Sequence, residues 1–283
     1  MGTKDSLGNR MKEYEMAFRR YLTRRVPVIL RIDGKAFHSF TKGFERPFDD
    51  RVFLEAMRKT MQYLCENVHN CVFGYTQSDE ITLVLVDYKR QDSAAWFDNC
   101  QNKMESVGAS MATMAFNKFF AELVSEMIKP VTPDEFKRAE PYKSKMFTAM
   151  FDCRAFNIPK EEVCNNLIWR QQDASRNSIQ QIAHFYFSQK ELQGKNCDQI
   201  QEMLFDKHGI NWSNLPTHLK RGSCCVRKPV FISKTDLPEK YQGALETDPQ
   251  TGELGVIREK WVIDKEIPLF TADRKYVESR VEV

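Results

Sequence analysis

The sequence predicts an α+β fold in which an antiparallel sheet carries its helices on one face. Period-two apolar patterns mark strands and three- or four-residue spacings mark helices, in the order β-α-β-β-α-β over residues 1–157. This order is the split βαβ arrangement of a ferredoxin-like sheet. We therefore expect a sheet domain over residues 1–157 and a helical and β-hairpin extension over residues 158–283, packed on it as one compact unit. A chain of 283 residues with 42% hydrophobic content is sufficient for such a core.

Composition and charge exclude several classes of protein. The net charge of +3 is the small difference between 42 basic and 39 acidic residues, which neither demands nor excludes a nucleic-acid partner. No apolar run is long enough for a membrane span and no signal peptide is evident, so we expect a cytoplasmic protein. The eight cysteines form no C-x-x-C pair, so we expect reduced, buried thiols rather than a zinc site or disulfides.

Amphipathic spacing predicts three helices in the first half of the chain. The first covers residues 7–22, the second begins at a cap formed by Asp49, and the third covers residues 102–127. A polar, proline-marked loop is expected over residues 129–141. The buried stripe of the third helix is expected to comprise Met104, Val107, Met111, Met114, Ala115 and Phe119.

The first predicted strand ends in a carboxylate. Val28, Leu30 and Ile32 alternate with Arg31 and Asp33, so the two groups lie on opposite faces of the sheet. Asp33 therefore points away from the core at the end of the strand. The glycine that follows permits backbone N–H groups to approach a phosphate closely, although the chain has no P-loop motif.

Two further strands, over residues 71–75 and 81–86, are predicted to form a hairpin because both are rich in β-branched and aromatic residues. If the hairpin lies beside the first strand, about 4.8 Å away, Asp33 and Asp79 can reach two metal ions about 3.5–4 Å apart, the spacing used in nucleotidyl transfer. Asp79 and Glu80 face opposite ways in a regular strand, so only one of them should be a direct ligand. The other interpretation is that all three are ordinary turn residues, and spacing alone favours it.

The extension is predicted to begin with a long helix over residues 159–186 and a short helix over residues 198–208. Two strands follow, over residues 223–232 and 254–263, with a hairpin turn at residues 248–252. Four polar residues of the long helix share one face, which is either a solvated, ion-paired surface or a contact with a phosphate or base. They are Arg170, Asp173, Arg176 and Asn177.

Five short motifs occur in one order along the chain. They read R-I-D-G-x-x-F-H at residues 31–38, R-P-x-D-x-R at 46–51, Y-x-Q-S-D-E at 75–80, F-D-x-R at 151–154 and W-R-Q-x-D at 169–173. Together they resemble the tRNA(His) guanylyltransferase family, and the resemblance covers roughly residues 10–230. Five motifs in register are far more specific than any one of them.

The resemblance implies a 3′-to-5′ nucleotidyltransferase that adds nucleotides to the 5′ end of a tRNA on a polymerase-palm-like sheet. Asp33, Asp79 and Glu80 would be the catalytic residues. Asp33 and Asp79 would ligate two Mg²⁺ ions, the Gly34 carbonyl would add a ligand, and Glu80 would lie beside the metal site. Carboxylates are the hard oxygen ligands that magnesium prefers. ATP, GTP or other nucleoside triphosphates would be the substrates, with ATP or GTP activating the 5′ end. The resemblance also implies a homotetramer.

Nucleotide contacts are implied in the same way. The backbone amides from Gly34 to His38 would hold a triphosphate, and Arg46 stands where lysine is common in the family. An arginine offers a planar fork in place of a point charge, so the geometry of this contact is expected to differ. The residues implied in nucleotide binding are Gly34, Lys35, Ala36, Phe37, His38, Arg46, Asp49, Ser78, Lys103 and Asn177.

The chain departs from the family pattern in the long helix of the extension. Eukaryotic guanylyltransferases continue after the W-R-Q-x-D motif with H-I-N-N-L-Y-N, where the histidine is associated with selecting tRNA(His). Here Ser175 replaces that histidine, while Asn177 is retained. This departure resembles the guanylyltransferase-like proteins, so we expect templated repair of 5′-truncated tRNA. The alternatives are a tRNA(His)-specific guanylyltransferase that adds G at position −1, and a tRNA-binding module without catalysis.

Overall fold

The computed structural model describes residues 6–128, 133–238, 243–247 and 251–282. Its strands are β1 (Val28–Gly34), β2 (Cys71–Gln77), β3 (Glu80–Leu85), β4 (Phe151–Asn157), β5 (Ser223–Ser233), β6 (Glu246–Thr247) and β7 (Leu254–Asp264). Within the described residues they form one antiparallel sheet with the order β4-β1-β3-β2-β5-β7-β6. The antiparallel α+β architecture predicted from the sequence is confirmed.

The helices of the described residues vary widely in length. They are α1 (Ser6–Met16), α2 (Phe37–Phe40), α3 (Phe53–Asn67), α4 (Gln101–Met127), α5 (Pro133–Lys143), α6 (Val163–Tyr186), α7 (Gln189–Leu192), α8 (Cys197–His208), α9 (Thr217–Arg221) and α10 (Lys275–Val281). Among these residues, no helix is both long enough and apolar enough to cross a membrane. All eight cysteines are free thiols, and six of them are buried, as predicted.

Helices cover both faces of the sheet. One face carries Val28, Leu30 and Ile32 and packs against α3 and α4, which form the larger core. The opposite face carries Ile29 and Val84, which are equally apolar and pack against α6 and α10. The expectation of helices on one face is therefore wrong for the sheet as a whole. It holds for α3 and α4, whereas helices from the extension cover the second apolar face, as any sheet buried on both sides requires.

The extension continues the sheet as well as packing on it. Gly74 in β2 pairs with Cys225 in β5, and β5 pairs with β7 along ten residue positions. The predicted strands over residues 223–232 and 254–263 are thus present within one residue of their expected ends. The division into two domains at residue 157 stays a prediction, and the sheet itself runs across it. The predicted turn at residues 248–252 lies largely outside the described residues.

Three elements differ from the sequence-based expectation. The first helix ends at Met16 and buries none of its side chains. The expectation of a longer, packed helix is wrong because amphipathic spacing shows an apolar face but not what covers it. The loop expected over residues 129–141 is partly helical, since α5 begins at Pro133 and proline is favoured in the first turn of a helix. In α4 the buried stripe is offset, so that Phe116 and Phe120 are fully buried while Met114 is 53% exposed.

Phe116 lies at the centre of an aromatic cluster under the sheet. Its ring centroid is 5.5 Å from that of Phe37, 5.8 Å from that of Phe40 and 5.3 Å from that of Phe151. We expect Phe116→Ala to lower the free energy of unfolding by about 3–5 kcal/mol, because it leaves a cavity in a packed core. Urea denaturation measures the change. Phe205→Ala is the control, since Phe205 is 60% exposed and its loss should cost under about 0.5 kcal/mol. Equal losses in the two variants would contradict the packing argument.

Candidate active site

Three carboxylates project from one face of the sheet at the end of β1. Asp33 lies directly opposite Glu80 in β3 and directly opposite Asp152 in β4. Directly opposed residues of antiparallel strands share a face, with Cβ atoms about 4.5–5.5 Å apart. This is the face covered by α6, so Asp33 points away from the α3–α4 core as the alternation of β1 predicted. The strand order that brings Asp152 to the site is not visible in local sequence patterns.

The turn between β2 and β3 places Asp79 next to the end of β1. Ser78 adopts a left-handed conformation with φ of 48°, which tightens the turn. The Gly34 backbone N–H then donates a hydrogen bond to the Asp79 carbonyl at 3.0 Å. This bond joins the turn to the strand end, so the structure brings Asp33 and Asp79 together as the sequence predicted.

The carboxylate cluster is electrostatically unfavourable without a cation. Burial is the largest of the effects that raise the pKa of Asp33 to about 6, followed by the neighbouring charges of Asp79, Glu80 and Asp152 in that order. Burial also raises the pKa of Asp79, although hydrogen bonds from its own backbone and from Ser78 oppose the change. Like charges in a partly desolvated site repel one another. A bound cation would therefore be favoured between these side chains.

Glu80 is paired with two arginines. Arg170 in α6 donates two hydrogen bonds to its carboxylate, at 2.8 and 2.6 Å. Arg31 lies on the other side, with Nε 3.5 Å from the same carboxylate. Bidentate arginine–carboxylate pairs are among the strongest hydrogen-bonded contacts in proteins. The predicted proximity of Glu80 to the site is present, and its oxygens are committed to this ion pair.

A short turn after β1 presents unpaired backbone amides. Ala36 adopts φ of 55° and ψ of 38°, which starts the single-turn helix α2. The amides of Ala36, Phe37 and His38 have no acceptor in the part of the chain that the structure describes. The amides of Gly34 and Lys35 are already bonded, to the carbonyls of Asp79 and Met150. The predicted run of phosphate-binding amides is therefore wrong at its first two positions and possible only at the last three.

Phe37 anchors this turn to the core. Its ring packs against Phe53 and Phe151 and lies over the backbone of Gly34. A Cβ at position 34 would stand 2.4 Å from the ring, closer than side chains approach one another. Position 34 therefore requires glycine so that the Phe37 ring can fix the turn. The phenylalanine predicted to bind nucleotide acts chiefly as this anchor, and it also lines the adjacent cavity.

A cavity of about 380 Å³ opens beside the carboxylates. Eight of the residues predicted for nucleotide or metal binding line it: Gly34, Ala36, Phe37, His38, Arg46, Asp49, Ser78 and Asp79. Asn177 lines a smaller neighbouring cavity that shares the walls formed by Asp49 and Ser78. Lys35 and Lys103 are exposed and line neither cavity, so the structure does not bring them to the site.

Asp49 lines the cavity and also caps the start of α3. Its two carboxylate oxygens accept hydrogen bonds from the backbone N–H groups of Val52 and Phe53, each at 3.1 Å. This is the capping role predicted at the start of the second long helix. Burial raises the pKa of Asp49 despite these bonds.

Sequence reasoning missed Gln181, which lines both cavities from α6, because nothing in the local sequence marks which turn of that helix crosses the site.

The oxygen atoms at this site suit a hard cation that also keeps water or substrate phosphates as ligands. No group of three or more His, Cys, Asp or Glu side chains positioned to hold a metal occurs in residues 6–128, 133–238, 243–247 and 251–282. Asp33 and Asp79 therefore offer two carboxylates, to which the Gly34 carbonyl can add an oxygen. Magnesium is commonly held by one or two carboxylates, together with water and substrate phosphates. The residues present fit that pattern and do not fit a closed, all-protein cage.

A model of the family described as tRNAHis guanylyltransferase matches residues 8–159, more than half of the chain. The chain belongs to the tRNAHis guanylyltransferase family. This confirms the family that the five motifs indicated, and it places the chain among nucleotidyltransferases, as predicted.

Individual relatives agree with this assignment. The probable tRNA(His) guanylyltransferase of Dictyostelium discoideum is 28% identical over 239 residues, which cover 79% of this chain and 85% of that protein. The tRNA(His) guanylyltransferase of Saccharomyces cerevisiae is 26% identical over 216 residues, covering 71% and 82%. A solved bacterial tRNA(His) guanylyltransferase-like protein in complex with ATP is 37% identical, with a TM-score of 0.76, and covers 98% of this chain and 100% of that chain. A structure with GTP gives 36% identity, a TM-score of 0.74, and coverage of 99% and 100%.

The raised pKa of Asp33 makes a testable statement about stability. The folded protein retains a proton on Asp33 up to about pH 6, whereas the unfolded chain releases it near pH 4. The free energy of unfolding therefore falls as pH rises through this interval. We expect Asp33→Asn to be more stable than the wild type at about pH 7, with the advantage shrinking towards about pH 4.

Urea denaturation in the presence of a chelator measures this difference. Asp206→Asn is the control, because Asp206 is an exposed carboxylate on α8 and reports the loss of one negative charge alone. A stability difference for Asp33→Asn that stays constant with pH would show that burial and the neighbouring carboxylates do not raise the pKa of Asp33 as described.

Proposed function

We propose that this protein is a template-dependent 3′-to-5′ nucleotidyltransferase that restores the 5′ end of truncated tRNA. The observation that carries the proposal is that Asp79 lines a 380 Å³ cavity that also presents unpaired amides and an arginine, with Asp33 close enough to Asp79 for their charges to repel. Carboxylates beside a phosphate-binding cavity are the arrangement that phosphoryl and nucleotidyl transfer requires. Relatives whose structures contain ATP and GTP support a triphosphate as the cavity's ligand.

The metal in this proposal is Mg²⁺, bound as two ions. Asp33 and Asp79 would hold them, with the Gly34 carbonyl as a further oxygen ligand. When bound, the ions would stabilise negative charge on the reacting phosphate oxygens. Burial, and then repulsion from the neighbouring carboxylates, raises the pKa of Asp33. The repulsion supports this assignment, since a divalent cation would remove it. We also propose that the sheet is a polymerase-like palm, because the split βαβ arrangement is the skeleton of polymerase palms.

The residues of the cavity divide the work of holding a triphosphate. The free amides of Ala36, Phe37 and His38 would donate hydrogen bonds to phosphate oxygens, as successive amides do in anion-binding nests. Arg46 is exposed at the cavity wall and adds a positive charge with a planar fork. The anchored Phe37 ring keeps this turn in place before the nucleotide arrives, which limits the entropy lost on binding. ATP or GTP bound here would activate the 5′ end of the RNA.

Position 175 supports repair over a function dedicated to tRNA(His). The Ser175 hydroxyl donates to the Gln171 carbonyl at 3.1 Å, within its own helix. It therefore presents no long polar side chain to an RNA, unlike a histidine at that place. The greater identity to the bacterial guanylyltransferase-like structure, 37% over nearly the whole chain, points the same way.

The homotetramer also remains a proposal, and the exposed apolar side chains of α1 are consistent with self-association.

Asp79→Asn tests the metal-binding role without changing the size of the side chain. We expect 5′ extension of a truncated tRNA to fall by about a thousandfold, because electrostatic stabilisation worth several kcal/mol is lost. Radiolabelled nucleotide incorporation in Mg²⁺ measures it, and excess chelator should abolish the wild-type reaction. Asp206→Asn, far along the chain on α8, is the matched control and should retain full activity. Undiminished extension by Asp79→Asn would refute the proposed chemistry.

A tRNA lacking its first nucleotide tests the substrate. We expect the nucleotide complementary to the facing base of the 3′ strand to be added in preference to the three mismatched ones, since pairing supplies the selection. Changing that facing base should change the nucleotide incorporated. Addition of G alone, and only to tRNA(His), would favour the dedicated guanylyltransferase. Retained tRNA binding with no incorporation of any nucleotide would favour the non-catalytic module.

A further inference from the structure

Trp169 in α6 is half-exposed and contacts Arg31 of β1 beside the carboxylate site. Half of its side chain, 50%, is accessible to solvent, although tryptophan usually buries most of its surface. It lines neither of the two cavities described above. The proposed binding of a triphosphate therefore leaves this residue without a role.

Two arginines hold the indole ring in place. The guanidinium carbon of Arg170 lies 4.6 Å from the ring centroid, and that of Arg31 lies 5.0 Å from it. Both arginines are themselves fixed by the Glu80 carboxylate, and Arg31 also donates to the Asn166 side chain at 3.1 Å. The ring is thus oriented before any ligand binds, which lowers the entropic cost of a contact with it.

The ring and the triphosphate cavity flank the carboxylates from different sides. Asn177 and Gln181 line the cavities, and Trp169 precedes Asn177 by eight residues, or about 12 Å along the helix axis. Arg31, which touches the ring, lies two residues before Asp33 on the same face of β1, about 7 Å away. A strand of RNA that reached the carboxylates over Trp169 would meet a nucleotide bound in the cavity at the site between them.

An exposed guanidinium lies on the same face of the sheet. Arg154 in β4 is directly opposite Arg31 in β1, and its side chain is 65% exposed. Its Nε is 3.9 Å from the Asp152 carboxylate, which is a loose contact that leaves donors free. Arginine beside an exposed aromatic ring is a combination found where proteins bind single-stranded nucleic acid, with the ring stacking on a base and the cation contacting phosphate.

We propose that Trp169 is a stacking platform for an unpaired nucleobase of the RNA strand, with Arg154 contacting the adjoining phosphate. This assignment rests on the proposed function, because it takes RNA to be the strand that reaches the carboxylates. Stacking needs no particular base, which suits an enzyme that accepts many tRNA ends. Hydrogen bonds to base edges would be needed for sequence selection, and the ring offers none.

Tryptophan fluorescence tests the contact without requiring catalysis. The chain has four tryptophans, so the signal of Trp169 is the difference between the wild type and Trp169→Phe. A short single-stranded oligoribonucleotide, added without Mg²⁺ or nucleotide, should quench that difference signal. ATP alone should leave it unchanged, since the cavity does not include the ring. Quenching by ATP equal to that by RNA would overturn the assignment to the RNA strand.

Affinity for the same oligoribonucleotide gives the second measurement. Trp169→Ala should weaken binding roughly five- to hundredfold, the range found when a stacked aromatic is removed. Trp169→Phe should stay within about threefold of the wild type, because it keeps an aromatic face. Phe205→Ala removes an aromatic side chain on α8 that is 60% exposed and should leave the affinity unchanged. Arg154→Gln should reduce the salt dependence by about one phosphate contact.

Two results separate this proposal from the proposed function. Wild-type affinity in Trp169→Ala, with circular dichroism and ATP binding intact, would overturn the stacking platform even if 5′ extension proceeds. If Trp169→Ala loses ATP binding as well, the RNA affinity of Trp169→Phe is the deciding measurement. RNA affinity retained in Trp169→Phe supports stacking, and RNA affinity lost in that variant refutes it. Failure of the wild type to extend any tRNA, with quenching by RNA preserved, would instead remove the proposed reaction and leave the RNA contact standing.

Discussion

The bidentate ion pair between Arg170 and Glu80 is the contact on which the site depends. Glu80 is 7% exposed, and a buried carboxylate without a partner would cost several kcal/mol. The pair satisfies that charge and attaches α6 to the sheet beside Asp33. Because α6 also carries Gln181 and Asn177 into the cavities, the same contact sets the distance between the helix and the carboxylates.

The remaining carboxylates are left without such compensation. Strand pairing places Asp33 opposite Asp152, and the hairpin turn adds Asp79. Arg31 and Arg170 are engaged with Glu80, and the contact of Arg154 with Asp152 is loose, at 3.9 Å. Burial and the neighbouring carboxylates that strand pairing brings together raise the pKa of Asp33. Active sites commonly retain unfavourable charge arrangements that a ligand relieves, because a fully satisfied cluster would have no affinity for a cation.

Sequence patterns predicted the parts of this site that local spacing determines. Alternation in β1 placed Asp33 on the face away from the α3–α4 core, and the hairpin signal placed Asp79 near it. The contact of Glu80 with Arg170 spans 90 residues, and the position of Asp152 depends on which strand pairs with β1. Neither leaves a periodic trace in the sequence, since strand order and helix packing are set by long-range pairing. For the same reason, spacing revealed the apolar face of α1 but not that this chain leaves it uncovered.

The turn that carries Asp79 and the turn that carries the free amides are mechanically coupled. A single hydrogen bond, from the Gly34 N–H to the Asp79 carbonyl at 3.0 Å, joins the hairpin turn to the start of the amide turn. Each turn contains one non-glycine residue in the left-handed region, Ser78 and Ala36, and such residues cost of order 1–3 kcal/mol unless their surroundings fix them. The Phe37 ring fixes one turn against the core, and the β2–β3 ladder fixes the other. A displacement of either turn would therefore move both the carboxylate and the amides, so that the proposed cation and triphosphate would be positioned together.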